Sequence, residues 1–219
     1  MMQNPKKERK PTQGPVRDKA RTYENMIDSV GAVLQDKGYK KLNGANIARQ
    51  AKVNTAMIYL YFGTIENLIE TYIKRIDFWT PESNAQIQEI LANPRRRSAA
   101  DFHKLLLNQL NSVHSNRDLQ QVLLWELSER NEILSKISRE REELGELLFQ
   151  FVEDDFKDSG LDIRAILAIL ISGIYYSSIH ATNNGSTFCS IDMNKREGMQ
   201  RFENALKQII NLCYDKIAS

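Results

Sequence analysis

Cysteine, proline and glycine are all scarce in this chain of 219 residues, and each scarcity excludes something. Two cysteines, Cys189 and Cys213, cannot build a disulfide scaffold, and their spacing matches no metal-ligand pattern. Both read as structural thiols of a protein working in a reducing cytoplasm. Five prolines and ten glycines leave long stretches where helix formers run on. No segment alternates apolar and polar residues for any length, so no strand is expected. The longest apolar run, Ala165 to Tyr176, is about a dozen residues, short of the roughly 20 that a membrane helix needs. The N-terminus is polar and lysine-rich, without the apolar segment of a secretory signal. A membrane partner is therefore not expected.

What is present is an uneven distribution of charge. Residues 1–75 hold 14 Lys and Arg against 7 Asp and Glu, whereas residues 76–219 hold 16 against 21. A near-neutral total hides a basic head and an acidic body. Such a head suits a polyanion, and the body does not. Residues 1–18 carry three of the five prolines and no apolar periodicity. They read as a flexible basic arm, either a solvated tail or one that touches phosphates or a minor groove through Lys6, Lys7, Arg9 and Lys10.

The remainder shows helical periodicity. Met26, Ile27, Val30, Val33 and Leu34 recur at spacings of three and four between Ala20 and Lys37, before Gly38. Asn43 is placed to cap a short helix from Gly44 to Ala51, and Asn54 a second that Gly63 and Thr64 end. A fourth starts near Ile65 and turns Leu68, Ile69, Tyr72, Ile73 and Ile76 inward. Pro81 and the segment Ala92–Ser98 interrupt the next part. Helical segments follow near 101–115, 118–129, 132–157, 162–182 and 195–217. The chain reads as all-α, with about nine helices and no internal repeat. Its expected division is a basic arm (1–18), a head of short helices (19–64) and a helical body (65–219).

The stretch "ANIARQAKVNTAMIYLYF", Ala45 to Phe62, carries the sharpest signal. Two short helices joined by a tight turn, with a small residue facing the second, describe a helix-turn-helix. Ile47, Ala48, Ala51, Val53 and Ile58 form its expected mutual core, and Phe62 packs on neighbouring helices. Thr55, Ala56, Met57, Tyr59, Leu60 and Tyr61 are left on outward or flanking faces. Methyl and aromatic groups there suit thymine methyls in a major groove, and hydroxyls suit phosphates.

From Arg21 to Arg75 the sequence resembles the tetracycline-repressor-like (TetR/AcrR) transcriptional regulators. The residues that carry the resemblance are Lys37–Tyr39 ("KGY"), Ile47 to Val53 ("IARQAKV") and Ile58–Phe62 ("IYLYF"), followed by Glu66 and Leu68. The resemblance implies a dimer with two three-helix heads and helical bodies. Each body would enclose a small-molecule pocket, and its last two helices would form an intersubunit four-helix bundle. Family DNA contacts fall on Thr55, Ala56, Met57, Tyr59, Leu60 and Tyr61, with Gly44 and Ala45 at the start of the preceding helix.

Four positions depart from the family pattern. Lys52 stands where glycine is usual, and a left-handed lysine costs about 1 kcal/mol, which a reach to a phosphate would partly recover. Met57 replaces a threonine, Ala45 a frequent base-reading arginine, and Ile65 a phosphate-binding lysine. The expected operator is therefore read more by apolar contact and DNA shape than by arginine–guanine pairs.

In the body, apolar stripes run along the last two helices. Ile166, Leu170 and Ile174 on one, and Phe202, Leu206, Ile209 and Cys213 on the other, are candidates for a dimer interface. Phe102, Leu106, Trp125, Phe149, Tyr175 and Tyr176 are candidate cavity residues for a small apolar or cationic effector. His103, His114 and His180 are scattered and form no metal set. The run Ser138 to Glu146 reads as a solvated helix face, and Pro94–Ser98 as an exposed loop. No Ser/His/Asp or Cys/His set, glycine-rich phosphate loop or paired carboxylates suggest an enzyme, and no cofactor is implied. Two readings remain: a ligand-responsive repressor that binds an inverted repeat, or a DNA-binding structural or protein-interaction protein without a ligand.

Overall fold

The computed structural model describes residues 19–79, 85–92, 98–150 and 152–218. The basic arm, Pro81 and Arg95–Arg97 lie outside them. Among the described residues the regular structure is helical, apart from one isolated bridge between Phe188 and Ile191. The helices are α1 (Lys19–Lys37), α2 (Gly44–Ala51), α3 (Thr55–Phe62), α4 (Ile65–Ile76), α5 (Ala85–Ala92), α6 (Ala99–Ser115), α7 (Arg117–Ser128), α8 (Glu132–Phe149), α9 (Glu153–Phe156), α10 (Ile163–Asn184) and α11 (Arg196–Ala218). A 3-10 turn, Tyr39–Lys41, links α1 to α2.

Two helices exceed the sequence expectation. One is α5, inside the segment read as an interruption. The other is α9, because the helix expected over 132–157 stops at Phe149. The chain there makes a tight turn, with the Val152 amide bonding to the Phe149 carbonyl at 2.8 Å. Val152 and Phe156 then bury themselves in the body core.

Helix starts follow the capping chemistry of the sequence. Asn43 accepts a hydrogen bond from the Asn46 amide, Asn54 from Ala56, and Thr64 from Asn67. Asn116, Asn131 and Asp162 do the same for α7, α8 and α10.

One apolar cluster joins α1, α2, α3 and α4 to one face of α7 and the start of α8 through Val122, Trp125, Leu134 and Ile137. The opposite face of α7, Leu119 and Leu123, enters a second cluster built with α6, α9, α10 and α11. Helix α7 thus belongs to both cores. Helix α10 is 22 residues long, and by length and composition alone it is apolar enough to cross a membrane, with a third of its apolar window buried. Ser172, Gly173, Ser177 and Ser178 do not interrupt it. Its buried side, including Leu167, Leu170 and Ile174, packs in the body core.

Candidate nucleic-acid interface and body cavity

The head presents α3 outward. Ile58 and Phe62 are its buried residues, and Phe62 stacks on Tyr23 of α1 with ring centroids 4.7 Å apart. Leu60 is 75% and Tyr59 51% exposed, unusually open for large apolar side chains. Ala56 is exposed beside them, whereas Thr55, Met57 and Tyr61 are half-buried. Asn25 of α1 donates to the Ala51 carbonyl at 2.7 Å, which fixes α2 against α1. Val53 in the turn is half-buried on the head cluster.

The departures from the family pattern have local explanations. Lys52 ends α2 with φ 56 and ψ 40, the left-handed region, and its amide bonds to the Ala48 and Arg49 carbonyls. Its side chain is exposed. Ile65 packs over Gly44: a Cβ added at Gly44 would lie 2.5 Å from Ile65 Cδ1. Gly44 is accordingly buried, while Ala45 is exposed beside it. The isoleucine in a position expected to hold a lysine and the glycine that starts α2 are one packing unit. Exposed Arg49 and Gln50 on α2 adjoin this face, and the periodicity gave no reason to single them out.

In the body, four of the six candidate cavity residues meet. Phe102, Leu106, Phe149 and Tyr175 line a cavity of about 240 Å³, with Leu148, Leu167 and Ile171. Trp125 lies elsewhere: it stacks on Tyr39 at 5.6 Å in the head cluster, and its indole donates to Glu129 at 2.9 Å. Tyr176 faces outward, packed on His180 and Phe188.

The cavity's polar end was not singled out in sequence. Arg141, read as part of a solvated face, is instead largely withdrawn from solvent, its side chain 14% exposed. Its Nε donates to Asp77 at 2.7 Å and its Nη1 to Glu126 at 2.8 Å. Those two carboxylates hold its guanidinium pKa above the ordinary arginine value, against the opposing effect of burial. Asp77 is the residue that ends α4, so the cavity wall reaches the helix leading out of the head. The Tyr175 hydroxyl accepts from Trp79 Nε1 at 2.9 Å and from Gln109 Nε2 at 3.0 Å. Burial pushes the Tyr175 phenol up. A signal existed: Arg141 falls on the same helical stripe as Leu134, Ile137 and Leu144.

The dimer candidates divide. Leu170, Ile174, Leu206 and Cys213 are buried within the subunit's own core, and Ile166 and Phe202 pack partly against it. Their stripes face α6 because the body needs them as its core. The neighbouring stripe remains open, with Ile169 71% and Leu212 68% exposed beside Tyr176 and Ile209. Cys189 is exposed rather than structural, and both cysteines are free. Among the described residues no group of three His, Cys, Asp or Glu is placed to hold a metal.

Residues 31–72 match the family model described as bacterial regulatory proteins, tetR family. That segment runs from the middle of α1 to α4 and contains the whole helix-turn-helix. Over that segment the head has the DNA-binding motif of the tetR family. The whole fold is similar to solved TetR-like structures. A TetR-like transcriptional regulator from Rhodococcus sp. RHA1 aligns at 18% identity, covering 87% of this chain and 94% of that one, with a TM-score of 0.58. The transcriptional regulator FadR from Bacillus subtilis, in complex with stearoyl-CoA, aligns at 19% over 86% and 97%, with a TM-score of 0.59. The fatty acid degradation regulator FadR from Bacillus halodurans aligns at 18% over the same shares, also at 0.59. Comparison with curated proteins finds no match. The chain thus joins a tetR-type helix-turn-helix head to a body with the fold of TetR-like structures.

Proposed function

We propose that the chain is a cytoplasmic transcriptional repressor that binds an inverted-repeat operator as a homodimer and is released by a small apolar or cationic effector. The observation that carries the reading is the exposed apolar face of α3 in a helix-turn-helix head. Leu60 and Tyr59 have no packing role that explains their exposure. In a major groove they would meet thymine methyls and sugar edges. The dimer would form on the open stripe of α10 and α11, centred on Ile169, Tyr176, Ile209 and Leu212.

The body cavity supports the effector reading. The stearoyl-CoA bound by the Bacillus subtilis FadR supports a small-molecule site in a body of this fold. An occupant would touch Arg141 and Trp79, and Arg141 holds Asp77 at the end of α4. Occupancy would then bias the angle between head and body, and with it the spacing of two heads.

The test is Leu60→Ala, with Tyr59→Ala beside it, in equilibrium binding to a selected operator. Loss of buried apolar contact predicts roughly ten-fold weaker binding, about 1.4 kcal/mol. The salt dependence should be unchanged, because no phosphate contact is removed. Unaltered affinity would remove α3 from the interface.

A further inference from the structure

We infer that Lys52 and Arg21 form a seat for one phosphate of the DNA backbone, beside the first turn of α3. The inference rests on the reading of the head as DNA-binding, and it names a contact that grips DNA without reading its sequence. The seat is a recess of about 490 Å³ where three elements meet. Arg21 and Thr22 reach it from the start of α1, Lys52 from the turn, and Asn54 and Met57 from the start of α3.

Lys52 stands in a conformation that the fold alone does not ask of a lysine. Its backbone is left-handed, at φ 56, which disfavours any residue with a Cβ. Its amide closes α2 by bonding to the Ala48 and Arg49 carbonyls, and a glycine amide would do the same. The side chain is exposed, so it fills no core. Strain held at such a point is a pointer to function. What the lysine adds over glycine is an ammonium on a long stem, placed at the recess.

The other lining groups suit an anion. Arg21 supplies a second cation, and no carboxylate lines the recess among the described residues. The carboxylates on the same half of α1 face elsewhere, with Glu24 and Asp28 pairing with Arg75 of α4 at 3.1 and 2.6 Å. Thr22 adds a hydroxyl, and Asn54, whose Oδ1 accepts from the Ala56 amide, adds a side-chain NH₂ group. A phosphodiester presents one charge on two oxygens, which matches cations and neutral donors converging from separate elements. Position selects DNA as the source of that phosphate. Met57 lines the recess, and Leu60 lies three residues on, about 4.5 Å along the axis and on the same side of α3. A groove entered by Leu60 therefore brings its edge to the recess. The corner at the start of α4 offers no equivalent, because Ile65 packs on Gly44 there and Glu66 follows it.

The experiment measures binding of the full chain to a selected operator and to a scrambled duplex of equal length, over a series of salt concentrations. Lys52→Asn removes the charge and keeps a residue that accepts the left-handed region. It should lower the slope of log K against log salt by about one unit per protomer. It should also weaken binding to both duplexes by the same factor, roughly five-fold at low salt. Arg21→Gln should act in the same direction, and Lys52→Arg should keep the slope. An unchanged slope in both neutral variants would overturn the seat, and so would a loss confined to the operator, which would make Lys52 a reader of bases. A thermal transition measured on each variant separates loss of contact from loss of fold. Failure of the unaltered chain to bind either duplex would instead overturn the DNA-binding reading itself.

Discussion

Lys52 carries a cost that its position explains. A left-handed residue with a Cβ is disfavoured by about 1 kcal/mol or more, and Lys52 adopts φ 56 in the turn of the helix-turn-helix. Lys52→Gly should therefore stabilise the protein by roughly 0.5–1 kcal/mol in urea unfolding, after the added entropy of a glycine in the unfolded chain. A loss of stability would show that the lysine side chain supports the fold. This strain was legible in sequence, because a family glycine marks a left-handed site. The packing of Ile65 on Gly44 was only half legible, since sequence spacing cannot show that two residues on different helices touch. His114 gives a second residue-scale prediction. Burial holds its pKa below the ordinary value of 6.5, and its Nδ1 is buried with no hydrogen-bond partner among the described residues. The folded state then binds a proton less readily than the unfolded one. The stabilising effect is complete above about pH 6.5 and is lost progressively as the pH falls below it. Unfolding free energy measured between pH 7.5 and 5 should fall, and His114→Gln should flatten that slope. An equal slope in the variant would assign the titration elsewhere.

At the scale of the element, α4 is the helix that joins the two halves. Its Tyr72 hydroxyl donates to Asp118 at the start of α7, as does Gln35 of α1. Lys74 pairs with Glu140 of α8 at 2.8 Å, and Lys136 of α8 with Glu70 at 2.7 Å. These exposed pairs are individually worth little. The pair at the end of α4 is different, because Arg141 and Asp77 are largely buried. Arg141→Met should cost about 3 kcal/mol by removing the guanidinium from a buried carboxylate, and Asp77→Asn in the same chain should recover much of it. Additive losses in the double variant would mean that the pair is not coupled. The heptad-like stripes of α10 and α11 show where periodicity stops informing. A stripe says that a face is buried, not whether its partner is the same subunit or another. Arg141 escaped for the related reason that charge runs usually mark solvated faces, and only its register with Ile137 and Leu144 spoke otherwise. Helix α5 escaped because the proline on either side drew attention from the helix formers between them.

Across the whole molecule, the segregation of charge is visible in the amino-acid sequence alone, and so are the helical class and the outward-facing motif. The helix-turn-helix lies in the basic third, and the residues that line the cavity lie in the acidic remainder. What sequence did not reveal is that head and body share a core through the two faces of α7. That sharing gives a physical route between a cavity in one half and DNA in the other. The measurement that tests the account most directly is selection of bound DNA from a random pool by the purified chain, at two salt concentrations. The account predicts enrichment of an inverted repeat at both, with half-sites about one helical turn apart and two protomers per site. Binding that collapses with salt and enriches no sequence would contradict it, leaving a head that grips phosphates without reading bases.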